Sequence, residues 1–600
     1  MNKPAVLIIK KPLLFNTLNN RILQRLLSYL AIVFCLIQCA QKRSLPAGDP
    51  NNAGLFLPGD FEALVVVDSI NGCARHLAVN TNGDIYVKLR FPDSLGGNAG
   101  LRDISGDGKA DVVERFDDYL DRSSQGTEMK IYNGYIYFSS ATRIYRQRLT
   151  DELIPNSEIE LILTDTQPPR QHDTKPLAFD KEGNMYTVFG APSDACQEDD
   201  RSPQSPGIYP CPLLEERAGV WRFDANKKDQ FQKDGYKLGT GLRSVVGLDW
   251  NNEDNNLYAV VHGRDYLHNT WPTQFSIWEG SVLPSEVFIK LGEGANAGWP
   301  YHYYDQIRNK YLLSPEYGGD GEKQGDVSTL TEPTIGFPGH FAPNDLLFYT
   351  GDQFPERYKN GAFIAFHGST SSSPYPQSGY FIGFVPMKNG IATGPWEVFA
   401  DGFAEVETIV NTSDASYRPM GLAMGPDGSL YISDSEKGKI WRIMYKGDKN
   451  KFGEGQLAAM QKRKLTASNI KTPHETEDVI VPEGMDKAEM INITEEAKLY
   501  NTFCSVCHQR NALGNDRFPP LNGTKWVLGD KQTLVKVVLN GLSGKILVKE
   551  KPYYNTMPKL GMLKDEEIAK ILTYIRGNFG NNASAITPEE VAKIRSENKQ

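Results

Sequence analysis

Five consecutive residues, Cys504-Ser505-Val506-Cys507-His508, form a C-x-x-C-H motif. Two thiols three positions apart on a helical turn reach both vinyl groups of a haem, and the residue that follows turns its imidazole toward the iron. The bare spacing also occurs in zinc and thiol redox sites, but no second cysteine pair stands nearby to complete a zinc set. Covalent haem c is therefore expected, attached through Cys504 and Cys507 with His508 on the iron. A second constellation runs from Asp103 to Glu114. Oxygen donors fall at Asp103, Ser105, Asp107, Asp111 and Glu114, with the Lys109 carbonyl between them and Gly108 at the sharp turn. This is the spacing of a twelve-residue calcium loop, and it predicts calcium in a structural role because flanking helices are not obvious. Cys196 and Cys211 bracket a Pro-, Ser- and Asp-rich segment with little apolar material to hold it. A disulfide there would limit the unfolded chain.

The elements that must carry these groups are of two kinds. From residue 44 to about 447 an apolar strand, a Gly or Asn turn and a second strand with Tyr recur. Examples are HLAVNTNGDIYVKL, PLAFDKEGNMYTVF, GLDWNNEDNNLYAVV and GLAMGPDGSLYISD. Asn-Gly, Glu-Gly and Asp-Gly supply left-handed turn geometry for tight hairpins. A third strand type follows some of them, as in TRIYRQRL, GVWRFD and KIWRIMY. Short hairpins repeated over ~400 residues predict an all-β propeller of six blades. Residues 448–490 are polar and read as a linker with one short helix. From 491 the apolar period becomes helical. Asn492 or Thr494 caps a first helix, and Leu534, Val537 and Val538 mark a second. Ile568, Ile571, Leu572 and Ile575 mark a third that ends at Gly577. Residues 581–600 form a polar tail with a possible further helix.

The chain has 600 residues, a net charge of −9, 40% hydrophobic and 23% charged residues. It is globular, and its charge gives no reason to expect nucleic acid as a partner. Basic residues from Lys3 to Arg25 precede the apolar run Leu26 to Ile37, which is too short for a confident membrane span. The pattern predicts an export signal over residues 1–39. The run ends at Gln38-Cys39 and resembles a bacterial lipoprotein signal, with Gln38 in place of the usual small residue. The segment is then cleaved with lipidation of Cys39, cleaved without it, or kept as an anchor. Either of the tethered outcomes makes the membrane a partner, with the protein in the periplasm or on its membrane.

Residues 491–580 resemble a class I cytochrome c, an all-α domain. Pro519-Pro520-Leu521-Asn522-Gly523 looks like the loop whose proline carbonyl orients the proximal histidine. Tyr554-Asn555-Thr556-Met557-Pro558 looks like the ligand loop, which implies Met557 as sixth iron ligand, with Met562 as the alternative. His–Met ligation raises the potential and suits electron transfer.

Within 44–447, the segments PPRQHDTKPLAFDKEGNMYTVFGAPSDACQ, LGTGLRSVVGLDWNNEDNNLYAVVHGRDYL, GEGANAGWPYHYYD, FPGHFAPNDLLFYTGDQFPERYKNGAFIAFHGS and YRPMGLAMGPDGSLYISD resemble sorbosone and soluble glucose dehydrogenases. That family uses pyrroloquinoline quinone (PQQ) and calcium to oxidise sugars. The resemblance implies His172 as general base, Arg243 as the arginine that polarises the quinone and Arg418 as a ligand of a PQQ carboxylate. It implies Gly263 and Arg264 as calcium ligands through their carbonyls. In the glucose enzymes an Asp precedes the base, whereas here Gln171 precedes it and Asp173 follows. His367 stands where the family has a quinone-binding lysine. The whole chain is thus expected to be an exported quinohaemoprotein that oxidises a sugar or related alcohol and passes electrons to a respiratory acceptor. The alternative is a propeller that only binds carbohydrate or protein, fused to an electron carrier.

Overall fold

The computed structural model describes residues 45–117, 119, 127–167, 171–481, 494–515 and 517–597. The predicted export signal with Cys39, the cap candidate Asn492 and the end of the predicted linker lie outside them. Six antiparallel sheets form a six-bladed propeller. Blade 1 holds Ala74–Val79, Ile85–Asp93, Gly96–Arg102 and Val112–Phe116. Blade 2 holds Met129–Tyr132, Tyr135–Ser139, Arg143–Arg148 and Ile159–Thr164. Blade 3 holds Ala178–Phe179, Asn184–Phe189, Gly219–Asp224 and Tyr236–Thr240. Blade 4 holds Val245–Asn251, Asn256–Val261, Glu286–Leu291 and Ile335–Phe337. Blade 5 holds Pro343–Phe348, Ala362–Phe366, Phe381–Val385 and Glu397–Ala400. Blade 6 holds Pro419–Met424, Leu430–Asp434 and Ile440–Tyr445, and Phe61–Val67 from the other end of the chain completes it, antiparallel to Ile440–Tyr445.

The four sequence repeats are the first hairpins of blades 1, 3, 4 and 6. In blade 1 the turn closes through Asn80 N–H to the Asp84 carbonyl, with Gly83 at φ +97°. A side chain at that φ would be strained. First strands of neighbouring blades pack on one another around the axis. Each blade is a rotated copy of the last, so the first strands all run the same way. Residues just before a first strand, or just after a second strand, therefore ring one mouth of the propeller. This single rule gathers the candidate site.

Residues 448–481 do more than link. The helix Glu454–Thr466 buries Leu457 and Met460, and Met460 joins the apolar core of blades 4 and 5. Beyond it lies the helical domain. Thr494 caps Glu495–Phe503 by accepting from the Ala497 amide at 3.2 Å, with Glu495 and Glu496 in the first turn, where carboxylates favour the helix dipole. In Lys531–Asn540 the buried stripe is Leu534, Val535, Val538 and Leu539. The predicted Val537 lies off that stripe, because the i, i+4 row from Leu534 and Val535 already fills the core. Asp565–Gly577 buries Ile568, Ile571, Leu572 and Ile575. In the predicted tail, Pro588–Glu597 packs Val591 and Ile594 into the same core. Among the described residues no helix is long and apolar enough to cross a membrane.

Candidate functional site

His172 precedes the first strand of blade 3, and Arg243 precedes that of blade 4. Asp194 follows the second strand of blade 3, and Gly263, Arg264 and Asp265 follow that of blade 4. All therefore sit at the same mouth. The backbone at His172 is left-handed, φ +58°, and tucks against Gly190 so closely that a Cβ there would meet the His172 carbonyl. Its Nδ1 lies 2.7 Å from the Ala191 carbonyl. That pairing makes Nδ1 the protonated nitrogen and leaves Nε2 as a free base. Burial, then Arg243, pushes the ring down to about 3, so it is neutral across physiological pH.

Arg243 is fixed at both ends of its fork. Nη1 donates to the Gly263 carbonyl at 2.7 Å, and Nη2 donates to Asp194 at 2.5 Å and Asp265 at 3.1 Å. Asp194 is fully buried and also faces Arg264 at 3.5 Å and Arg201 at 3.8 Å. Burial alone would raise its carboxyl, but Arg243, Arg264 and Arg201 hold it well below the ordinary range. Sequence reasoning missed Asp194, Asp265 and Arg201, since a lone acid in a loop carries no spacing signal. The Cys196–Cys211 disulfide forms two residues from Asp194 and ties its loop.

The predicted calcium ligands are arranged differently from expectation. The Gly263 carbonyl carries Arg243, and the Arg264 side chain pairs with Glu316. A cation at the Gly263 oxygen would face a guanidinium. The Asp103–Glu114 loop lies at the end of the third strand of blade 1, at the opposite face from the mouth. Asp103 accepts from Gly106 N at 2.6 Å and Gly108 N at 2.8 Å, and Asp107 accepts from Lys109 N at 2.9 Å. Asp111 accepts from Ile104 N and Ser105 N, both at 2.7 Å. Glu114 lies in an exposed stretch of strand. Among the described residues no three carboxylates of this loop converge within 4.8 Å. Here the acids brace a turn between two strands through backbone amides.

On the other side of the mouth, Arg418 precedes the first strand of blade 6. It donates to the His367 carbonyl at 3.2 Å, to His367 Nδ1 at 2.9 Å and to the Gly368 carbonyl. His367 Nε2 meets Ser435 Oγ at 2.7 Å, so the ring is neutral and accepts from the guanidinium. Arg75 and Arg90 lie close to Arg418. Arg90 pairs with Glu436 at 2.9 Å, while Arg75 Nε is buried without a partner. Burial, then Arg90 and Arg418, brings Arg75 down to about 9. Three guanidiniums share one carboxylate, an excess that fits an anionic, carboxylate-bearing ligand. The neutral His172 and fixed Arg243 fit a reacting hydroxyl and a quinone oxygen at the opposite side.

In the helical domain, His508 Nδ1 lies 2.8 Å from the Pro519 carbonyl. This leaves Nε2 for a metal. Cys504, Cys507, His508, Phe518, Leu542 and Met557 line one cleft. Met562 is 72% exposed and lies outside that lining. Burial pushes the Cys504 thiol up to about 12. An apolar cleft with two cysteines, an oriented imidazole and a facing thioether fits haem c.

The two domains touch at the mouth. Asn269, on the short helix Leu267–Thr270 of blade 4, donates to Ser505 Oγ at 2.7 Å and to the Asn501 carbonyl at 3.2 Å. Cys507 has Arg201 as an electrostatic neighbour, and Tyr266 has Cys507. The haem-attachment turn therefore sits beside the Asp194 cluster.

Residues 272–446 match the TrAA12-like family, and residues 493–578 match the cytochrome c family. An uncharacterised protein of Borreliella burgdorferi is 28% identical over 210 residues, 34% of this chain, and the match spans only about half, 48%, of that relative. Cytochrome c-552 of Thermus thermophilus is 38% identical over 110 residues, covering 83% of that protein and 17% of this chain. Among solved structures, the holo PQQ domain of pyranose dehydrogenase from Coprinopsis cinerea superposes with a TM-score of 0.53 at 17% identity. The superposition covers 66% of this chain and 98% of that one.

Proposed function

The chain belongs to the cytochrome c family through its C-terminal domain and carries a TrAA12-like propeller, and on that premise we propose that it is a quinohaemoprotein that oxidises a sugar or related alcohol. The observation that carries this reading is the docking of the C-x-x-C-H turn, through Ser505 and Asn269, against the mouth that holds His172 and Arg243. A binding-only propeller gives no reason to bring an electron carrier to that edge.

PQQ, when bound, would supply a two-electron acceptor for the hydride of the alcohol carbon. Arg418, Arg75 and Arg90 would hold its carboxylates, a role for which the unpartnered Arg75 Nε is available. His172 Nε2 takes the hydroxyl proton, and the Ala191 carbonyl holds the ring in that tautomer. Arg243, braced by Asp194 and Asp265, presents a fixed positive charge where a quinone oxygen gains negative charge. Asp194 takes the place of a carboxylate next to the base, bracing Arg243 and acting on the imidazole electrostatically. Two electrons and two protons leave the alcohol. A haem attached to Cys504 and Cys507 would supply a one-electron relay to an external acceptor, with His508 and Met557 the residues that would hold its iron. The Cys196–Cys211 disulfide supports an oxidising compartment for this chemistry, in line with the expected export signal, and lipidation of Cys39 would tether it to a membrane.

The test is to load the haem-containing protein with PQQ and calcium, add a panel of aldoses and polyols, and follow the haem α-band. Reduction is expected with at least one sugar and is expected to be lost in His172→Ala. No reduction across the panel, with no quinone retained after gel filtration, would sink the dehydrogenase reading and leave a binding propeller.

A further inference from the structure

His76 on the first strand of blade 1, Glu128 just before the first strand of blade 2 and Asp345 on the first strand of blade 5 converge, with one donor atom of each within 4.8 Å of the others. Blades 2 and 5 stand opposite one another in a six-bladed ring, so their residues meet only on the axis. All three side chains are buried. None takes part in the chemistry proposed at the mouth. The pocket is already organised as a ligand shell. Asp345 is held by the amides of Leu346 at 2.8 Å and Leu422 at 2.6 Å, and Glu128 by that of Met129 at 3.0 Å. His76 Nε2 lies 2.9 Å from the Asn344 carbonyl, and its Nδ1 is buried with no partner.

Lys130 is a cation within reach of Glu128, Asp345 and Asp249, and burial raises all three carboxyls, Glu128 to about 8, so the cluster holds protons that a bound cation would displace. Two buried carboxyls converge with a buried imidazole whose Nε2 lies 3.8 Å from Asp345, the kind of donor set a cation site needs. The donors are mixed, two carboxylates and one imidazole, a set that borderline and hard divalent ions both accept. We propose that His76, Glu128 and Asp345 bind one divalent cation on the propeller axis. The ion would join blades 1, 2 and 5 and displace the protons that burial holds on the carboxyls.

The test uses the full-length haem protein without PQQ. After chelation and desalting, Mn²⁺ is added as probe and read by electron paramagnetic resonance, which separates it from low-spin haem iron. One bound Mn²⁺ per chain is expected, with nitrogen modulation in the pulsed spectrum from His76. Glu128→Gln and Asp345→Asn should each weaken it at least tenfold, while Asp107→Asn, in the loop on the opposite face, should leave it unchanged. No stoichiometric Mn²⁺, or binding that neither variant changes, overturns the proposal and leaves a Lys130 ion-pair network. Should the variants fail to fold, the wild-type spectrum decides alone, since bound Mn²⁺ without nitrogen modulation also overturns it.

Discussion

Replacing Asp194 by Asn tests the electrostatic frame of the mouth. The carboxylate is fully buried, and the Arg243 and Arg264 side chains around it are each 4% exposed. Removing one member of a buried ion pair costs about 3–5 kcal/mol, because it strands the partner's charge. Here each partner keeps a second acid, Asp265 at 3.1 Å from Arg243 and Glu316 beside Arg264, so the low end, ~3 kcal/mol, applies. Unfolding entropy is ~2.1 cal/mol/K per residue, or ~0.8 kcal/mol/K for a propeller of roughly 400 residues. The expected fall in the propeller's melting temperature is therefore ~3–4 °C. Differential scanning calorimetry reads it, with the haem Soret band reporting the cytochrome separately. Asp265→Asn is the internal control. Asp265 is 30% exposed, and its removal should cost ~1 kcal/mol or less. A melting point within 1 °C of wild type for Asp194→Asn, or an equal loss for Asp265→Asn, would refute the reasoning.

Since burial and Arg243 push His172 down to about 3, the base stays available on the acid side, and kcat/KM should show no limb near 6.5 that disappears in His172→Gln. The unfolded ring gains a proton below ~6.5 while the folded one does not, so this residue's contribution to stability should fall as pH drops from there toward 3. Met557→His should keep six-coordinate iron but lower the reduction potential by at least ~0.1 V in spectroelectrochemical titration, within the ~0.8 V that axial ligands span. Met562→Leu should leave it unchanged. The Cys196→Ser/Cys211→Ser double variant should lose ~3 kcal/mol for a sequence separation of 15 and become open to trypsin at Arg201; equal resistance to cleavage would show that the loop is held by its other contacts.

Much of the fold was legible because its signals are local. The Asn-Gly and Asp-Gly hairpins announce themselves within fourteen residues, and Leu534, Ile568 and Ile571 mark helix faces by spacing alone. The strand Phe61–Val67 was not, since its partner Ile440–Tyr445 lies at the far end of the propeller chain. The same divide runs through the site. Cys504, Cys507 and His508 sit on one turn and declare themselves. Asp194, Arg75 and Arg90 are single charged residues in loops or strand ends, and only the ring geometry brings them to Arg243 and Arg418. The loop at Asp103 marks another limit: its spacing fits a calcium site, but spacing does not say how its carboxylates are oriented, and three of them accept from backbone amides.

The propeller's ring is fastened by its own two ends. Phe61–Val67 emerges from the ribosome first among the strands and has no neighbour to pair with until Ile440–Tyr445 has followed, nearly four hundred residues later. Until then it is an apolar open edge, the kind of surface on which chains aggregate. The C-x-x-C-H turn comes later still. A chain that carries its haem has therefore already delivered every strand the ring needs, and haem attachment can serve as a stamp of completeness. Truncation anywhere before residue 440 would yield both an unstamped chain and an unfastened one, so colour alone would sort intact molecules from fragments.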